Sequence, residues 1–183
     1  MAFTVEKLDL SGVKLLTPDI HRDARGWFME AYRRDQLTEA GITAEFRQDN
    51  RSYSRHGVLR GLHYHVRGRE QAKLVQVLSG RVFDVVVDAR TDSATFGEWL
   101  TVELDADSGQ LLYVPPGFAH GFQVMSEDAL VGYKVDREYD AGAERSLAWD
   151  APELGIDWPV TPPVLSDRDT AAPGWDTLID ERT

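Results

Sequence analysis

The stretch that decides the fold is residues 57–75, GVLRGLHYHVRGREQAKLV. Apolar residues alternate in it with Arg60, His63, His65, Glu70 and Lys73. A strand with this many ionisable groups faces a site or water, because burying them unpaired is costly. A strand turns residues i and i+2 to the same side, so His63 and His65 share a face. Strict alternation puts Arg60 on the opposite face from His63, and a bulge at Gly61 would bring both inward. The flanking segments, Gln48-Asp49-Asn50 and residues 81–88, also read as strands. The middle of the chain is therefore a β-wall with chemistry on its inner side.

Working outward, residues 1–20 carry short apolar runs, clearest at 13–16, and read as extended. Asp23-Ala24-Arg25-Gly26 is a turn and residues 27–32 the next strand. A short helix is expected over 33–40, stopped by Gly41. The chain returns to strand over 44–50. Ser79-Gly80 is read as the turn of a hairpin joining 74–78 to 81–88. In that second strand Val82, Asp84, Val86 and Asp88 alternate with Phe83, Val85 and Val87. Further strands are expected at 95–104, 110–114, 119–125 and 130–135, with turns at Asp107-Ser108-Gly109 and Pro115-Pro116-Gly117. The proline-rich tail from Pro152 should be irregular and wrap the body. No repeat or linker interrupts residues 1–183, which read as a single domain. Short strands with turns every eight to twelve residues or so make a sandwich or barrel. The expectation is an all-β, cupin-type jelly roll with short peripheral helices.

The totals narrow the partners. The 183 residues carry 20 Lys and Arg against 31 Asp and Glu, a net charge of −11. That balance argues against nucleic acid or an anionic membrane surface. It leaves room for an anionic small ligand, since a local cluster of Arg and Lys overrides net charge. With no Cys there is no disulfide, thiolate nucleophile or Cys-ligated metal. No apolar run approaches the roughly 20 residues of a membrane span, and the N-terminus has no signal-like apolar segment. The simplest location is cytoplasmic.

The inward histidines, flanked by Arg60 and Lys73, are the first candidate site. A metal reading competes: His63-x-His65, then Glu70, then His120 after Pro116-Gly117, would suit Fe, Mn, Ni or Zn. Against it, Glu70 follows the basic loop Arg67-Gly68-Arg69, and a cationic cluster disfavours a bound cation. Ordinary structural roles also stand beside the functional ones. Tyr133 reads equally well as a half-buried strand residue, Lys73 as a rim lysine and Asp169 as a turn or cap residue. Glu144 and Arg145 look like a surface pair, and Trp149, Trp158 and Trp175 look like packing.

A resemblance runs through nearly the whole chain. Asp23-Ala24-Arg25-Gly26-Trp27-Phe28-Met29-Glu30, Gln48-Asp49-Asn50, Gly57-Val58-Leu59-Arg60-Gly61-Leu62-His63-Tyr64, Gln71-Ala72-Lys73-Leu74-Val75, Pro116-Gly117-Phe118-Ala119-His120-Gly121-Phe122 and Asp157-Trp158-Pro159 occur in this order. Jointly they resemble the dTDP-4-dehydrorhamnose 3,5-epimerase family of cupin-fold sugar-nucleotide epimerases. The resemblance implies inversion of C3 and/or C5 of a dTDP-4-keto-6-deoxyhexose, without metal or cofactor, in deoxysugar biosynthesis. It also implies a homodimer. His63 resembles the general base, Asp169 the carboxylate bonded to it, Tyr133 the general acid and Lys73 the cation beside the 4-keto oxygen. Arg60, Gln48, Asn50, His120, Glu144 and Arg168 resemble residues that hold sugar and diphosphate. Arg25 and Glu30 resemble nucleotide contacts lent by the neighbouring subunit, and Tyr139 the residue that stacks on thymine. Two positions depart from the pattern. His65 stands where the family usually has Gln, and Arg168 where it commonly has Lys. The first leaves a monoepimerase, acting on C3 or C5 alone, as the alternative.

The implied chemistry accounts for the residue types. The C–H bonds at C3 and C5 are both acidified by the C4 carbonyl. A neutral imidazole paired to a carboxylate is a base poised near working pH. A tyrosine on the opposite face can reprotonate the carbon. A lysine beside O4 stabilises the enolate charge, a contribution of about 3 kcal/mol for one well-placed donor.

Overall fold

The alternation of apolar and polar residues in the middle of the chain becomes two facing antiparallel sheets. The computed structural model describes residues 3–182. Its strands are β1 (Phe3–Lys7), β2 (Lys14–Pro18), β3 (His21–Asp23), β4 (Gly26–Phe28), β5 (Gln48–Arg55), β6 (Leu59–His65), β7 (Lys73–Ser79), β8 (Arg81–Asp88), β9 (Trp99–Asp105), β10 (Leu111–Val114), β11 (Phe118–Val124), β12 (Asp128–Val135) and β13 (Glu144–Ser146). Three short helices lie between and after them: α1 (Arg34–Glu39), α2 (Asp167–Thr170) and α3 (Trp175–Arg182). One sheet runs β1-β2-β10-β7-β12-β5 and the other β13-β6-β11-β8-β9, while β3 and β4 form a separate hairpin. This is the expected cupin-type jelly roll. No helix among the described residues is long and apolar enough to cross a membrane.

Period two sets the layers. From the second sheet Val82, Val86, Phe118, Phe122 and Val124 point between the sheets, meeting Val75, Val77, Leu112, Val114 and Val131 of the first. The opposite face of the second sheet, with Leu59, Leu62, Tyr64, Val85, Val87 and Ala119, is covered by the tail through Leu147, Leu154, Trp158 and Leu178. Trp158 is thus a packing residue, its Nε1 donating to Trp149 O at 2.9 Å.

The bulge at Gly61 is present. His120 pairs with His63 and Phe122 with Arg60, so three steps on β6 match two on β11. The extra residue resets the alternation, so Arg60, His63 and His65 all turn inward while Leu62 and Tyr64 turn to the tail. Gly61 is required here. Its φ is +130°, and a Cβ on it would sit 2.6 Å from Gly121 Cα.

Several expectations need correction. Ser79-Gly80 does not close a hairpin, because β7 pairs with β10 and β12 while β8 pairs with β9 and β11. The tight turn carries the chain from one sheet to the other, and there is no room beside Gly80, where a Cβ would meet Asp128 O. The strand expected at 27–32 ends at Phe28, and the one expected at 95–104 begins at Trp99, after a run of turns tied to Asp88. The strand expected at 44–50 starts later, at Gln48, and runs on to Arg55. The tail is not wholly irregular, since it holds α2 and α3.

Candidate active site

His63, near the end of β6, meets a partner from the tail. Its Nε2 lies 2.7 Å from Asp169 Oδ1. Ser166 caps α2, with its Oγ accepting from Asp169 N at 3.1 Å and donating to Asp169 Oδ2 at 2.8 Å. The short helix thus aims the carboxylate at the strand. Burial works to raise the Asp169 carboxyl, but the hydrogen bonds from His63 and Ser166 and the charges of His63 and Arg168 hold it below the usual carboxylate range. An ionised Asp169 accepts a hydrogen bond from Nε2–H, which leaves Nδ1 of a neutral His63 bare and able to accept a proton.

Across the barrel, Lys73 opens β7 and Tyr133 stands on β12, paired in register with Asn50 and Val75. Burial pushes the Lys73 ammonium down to about 8, against the upward pull of Glu144 and Asp84. Burial and the charge of Glu144 push the Tyr133 phenol up, while Arg60 pulls it down. Glu144 lies within the field of His63, Lys73 and Tyr133 alike, which puts all four around one space. Glu144 is no surface pair with Arg145. It faces inward beside His65 and accepts from Arg168 Nη1 at 2.5 Å, while Arg168 Nε donates to Ser146 Oγ at 2.9 Å. Burial works to raise Glu144, yet the Arg168 bond and the nearby cations leave it below its ordinary value.

The inward residues of β5 form a polar row. Gln48 Nε2 donates to Asn50 Oδ1 at 2.8 Å, and Gln48 Oε1 accepts from Tyr139 N at 2.8 Å. Ser52 follows, and Ser54 Oγ accepts from Arg60 Nε at 3.0 Å. The Tyr139 ring is exposed. Arg25 and Glu30 are not drawn into this cluster. Arg25 projects from the β3–β4 hairpin with its side chain 89% exposed and bonds Asp23, while Glu30 pairs with Arg33. On the same hairpin Trp27 and Phe28 are exposed.

One group that the sequence reading missed is Asp84. It is wholly buried, and both its oxygens accept from His120 Nε2, at 2.9 and 3.0 Å. Its signal was visible: an acidic residue amid the apolar run 82–87 of the strand. Ser54, Ser146 and Ser166, which orient Arg60, Arg168 and Asp169, carried no signal of their own.

The donor set of the metal alternative does not assemble. His63 and His120 each commit Nε2 to a carboxylate. Glu70 lies away from them, in a surface cavity of about 210 Å³ lined also by Arg67, Arg90, Thr91, Asp92, Pro116 and Gly117. Among the described residues no group of three His, Asp or Glu could hold a metal ion. The basic loop does not face the site either, since Arg67 pairs with Asp92 and Arg69 with Asp140 at the surface.

Comparison with known proteins bears on the fold and the family. The family model described as dTDP-4-dehydrorhamnose 3,5-epimerase matches residues 7–177. The protein of that name from Shigella flexneri is 45% identical over 166 residues, spanning 90% of this chain and 92% of its own. A solved dTDP-6-deoxy-D-glucose-3,5-epimerase from Legionella pneumophila, in complex with dTDP-4-keto-L-rhamnose, superposes with a TM-score of 0.92 at 43% identity, covering 97% of this chain and 95% of that one. A 3′-monoepimerase from Streptomyces bikiniensis, in complex with dTDP-quinovose, superposes at 0.86 and 36% identity, covering 91% and 85%. The family model and these relatives cover nearly the whole chain, and the chain belongs to the dTDP-4-dehydrorhamnose 3,5-epimerase family.

Proposed function

We propose that the protein inverts C3 and C5 of a dTDP-4-keto-6-deoxyhexose, of the dTDP-4-dehydro-6-deoxyglucose to dTDP-4-dehydrorhamnose type, using only its own side chains. The observation that carries this reading is the His63–Asp169 pair at 2.7 Å, in one space with Lys73 and Tyr133. His63 Nδ1 removes the proton beside the carbonyl. The C–H electron pair becomes the enolate double bond, and the carbonyl π pair moves to O4. The Lys73 ammonium stabilises that charge in a water-poor interior. Tyr133 donates its proton to the opposite face of the carbon as the electrons return from O4. Each inversion leaves one proton on His63 and removes one from Tyr133, and exchange with solvent resets both. Asp169 fixes the tautomer of His63 and stabilises the imidazolium. Arg60, Gln48, Asn50, His120, Glu144 and Arg168 hold the sugar and diphosphate; an Arg at 168 can grip a phosphate with two donors. Tyr139 stacks on the thymine. The test is conversion of dTDP-4-keto-6-deoxyglucose, followed by NMR, before and after EDTA. Full turnover after EDTA is expected. Loss of activity together with one tightly bound transition ion per chain would replace this reading with a metal-dependent one.

The active unit is a homodimer in which the β3–β4 hairpin reaches the neighbouring site, bringing Arg25 and Glu30 to the nucleotide. Trp27 and Phe28, exposed on that hairpin, support this. Arg25→Ala should weaken dTDP binding. Verified mixed dimers of Arg25→Ala with His63→Ala chains should regain about half the wild-type sites, since one of the two pockets is then intact. No recovery would mean that each chain builds its own pocket.

A further inference from the structure

The inner face of β6 carries a second histidine that the reaction leaves without a task. His65 is 7% exposed, two residues beyond His63 on the same side of the strand. Its register partner is Glu144 on β13, and Lys73, Asp140 and His63 also lie within its field. Its Nε2 is buried with no hydrogen-bond partner among the described atoms. Burial above all, helped by the charge of Lys73, pushes the His65 imidazole down to about 4, so it stays neutral at working pH. A neutral imidazole nitrogen in such a place is costly unless something bonds it.

We infer that His65 is a specificity-determining residue whose Nε2 bonds a ring hydroxyl of the bound hexose; this rests on the sugar-nucleotide reading of the site. The order along β6 supports the sugar rather than the diphosphate. Arg60, bonded to the polar row of β5, lies on one side of His63, and His65 lies on the other, beside the Glu144 carboxylate, an acceptor for sugar hydroxyls whose charge Arg168 offsets. A hydroxyl can give or accept a hydrogen bond, so it suits Nε2 in either tautomer. The contact would hold the ring while His63 works on a carbon about 7 Å back along the strand, two residues at roughly 3.3 Å each.

The test uses two amides that keep different nitrogens. In His65→Gln the amide nitrogen falls near Nε2, and in His65→Asn it falls near Nδ1. Binding of dTDP and of dTDP-glucose is measured by calorimetry on the intact protein, with thermal unfolding as the check on folding. His65→Asn should bind dTDP-glucose about ten-fold more weakly than wild type, the usual worth of one hydrogen bond in a buried site. Its affinity for dTDP should stay within about two-fold, and His65→Gln should restore dTDP-glucose binding. Where the Asn variant does not fold, His65→Phe fills the space without a nitrogen and should give the same split. Equal affinity of wild type and the nitrogen-deficient variant for dTDP-glucose overturns the inference, and so does an equal loss for both ligands. A wild type that binds dTDP-glucose with this split yet fails to convert the 4-keto sugar removes the proposed reaction and leaves the contact standing. Binding of neither ligand by wild type removes both.

Discussion

Two histidine–aspartate pairs stand on neighbouring strands of one sheet, and their difference defines the site. His63 and His120 are register partners across β6 and β11. Each binds a carboxylate through Nε2, at 2.7 Å to Asp169 and 2.9 Å to Asp84. Their settings diverge. The His63 side chain keeps 22% of its surface while that of His120 keeps 8%, and Asp84 keeps none. Asp169 comes from a capped helix in the tail and spends its second oxygen on Ser166. Asp84 comes from the adjacent strand β8 and gives both oxygens to one nitrogen. The first pair leaves part of the His63 ring open on the inner side of the strand. The second is nearly closed in, with Asp84 wholly buried and its charge bearing on Lys73 while the His120 ring keeps a small exposed edge. On the proposed mechanism the same two residue types serve as a base in one place and as a support in the other, and the difference lies in burial and partners.

Substitutions at these pairs should break the comparison in opposite ways. His63→Ala should lose turnover by about three orders of magnitude or more with dTDP affinity unchanged, the cost of removing a general base. Asp169→Asn should fall by roughly 10²- to 10⁴-fold in kcat with little change in unfolding temperature, since tautomer control and charge go but the helix cap remains. Asp84→Asn should reverse the pattern. It costs about 3 kcal/mol of stability by breaking a buried pair, with the smaller loss in kcat. Denaturant unfolding beside steady-state kinetics reads both. Equal kinetic losses at Asp84 and Asp169, with equal stability losses, would erase the distinction.

A smaller effect sharpens it. Lys73 must be an ammonium to stabilise the enolate, and burial sets its pKa at about 8 while Glu144 and Asp84 oppose that shift. The rate should therefore fall as pH rises through about 8. Asp84→Asn removes a charge that raises Lys73, so the alkaline limb should move to lower pH. A limb that stays in place in this variant would detach Asp84 from Lys73.

Much of the fold was legible because period two survives wherever one face is buried. The strands expected at 81–88, 119–125 and 130–135 follow from it and appear within two residues of those bounds, and the bulge at Gly61 answers the one place where strict alternation split Arg60 from His63. The false hairpin at Ser79-Gly80 came from a sound local rule, that neighbouring strands pair, which holds for β1–β2 and β8–β9 but is overridden where the roll sends β7 and β8 to opposite sheets. The overrun at 27–32 came from Met29 to Tyr32, whose residues suit a strand but whose backbone finds no partner strand. The partnership of His63 with Asp169 spans 106 residues, and no periodicity reaches that far; only the resemblance supplied the pairing. Asp84 was visible in the pattern and passed over, because a carboxylate on an apolar face says that it has a partner without saying which.

The most direct test of His63 as the base is isotopic. The protein is incubated with dTDP-4-keto-6-deoxyglucose in D₂O and the deuterium located by NMR, with wild type beside His63→Ala. Label at both C3 and C5 in wild type, and at neither in His63→Ala, is the expected result; label at one carbon in wild type would make the protein a monoepimerase with the same base. No label from folded wild type on authentic substrate, or wild-type labelling by His63→Ala, would contradict the account.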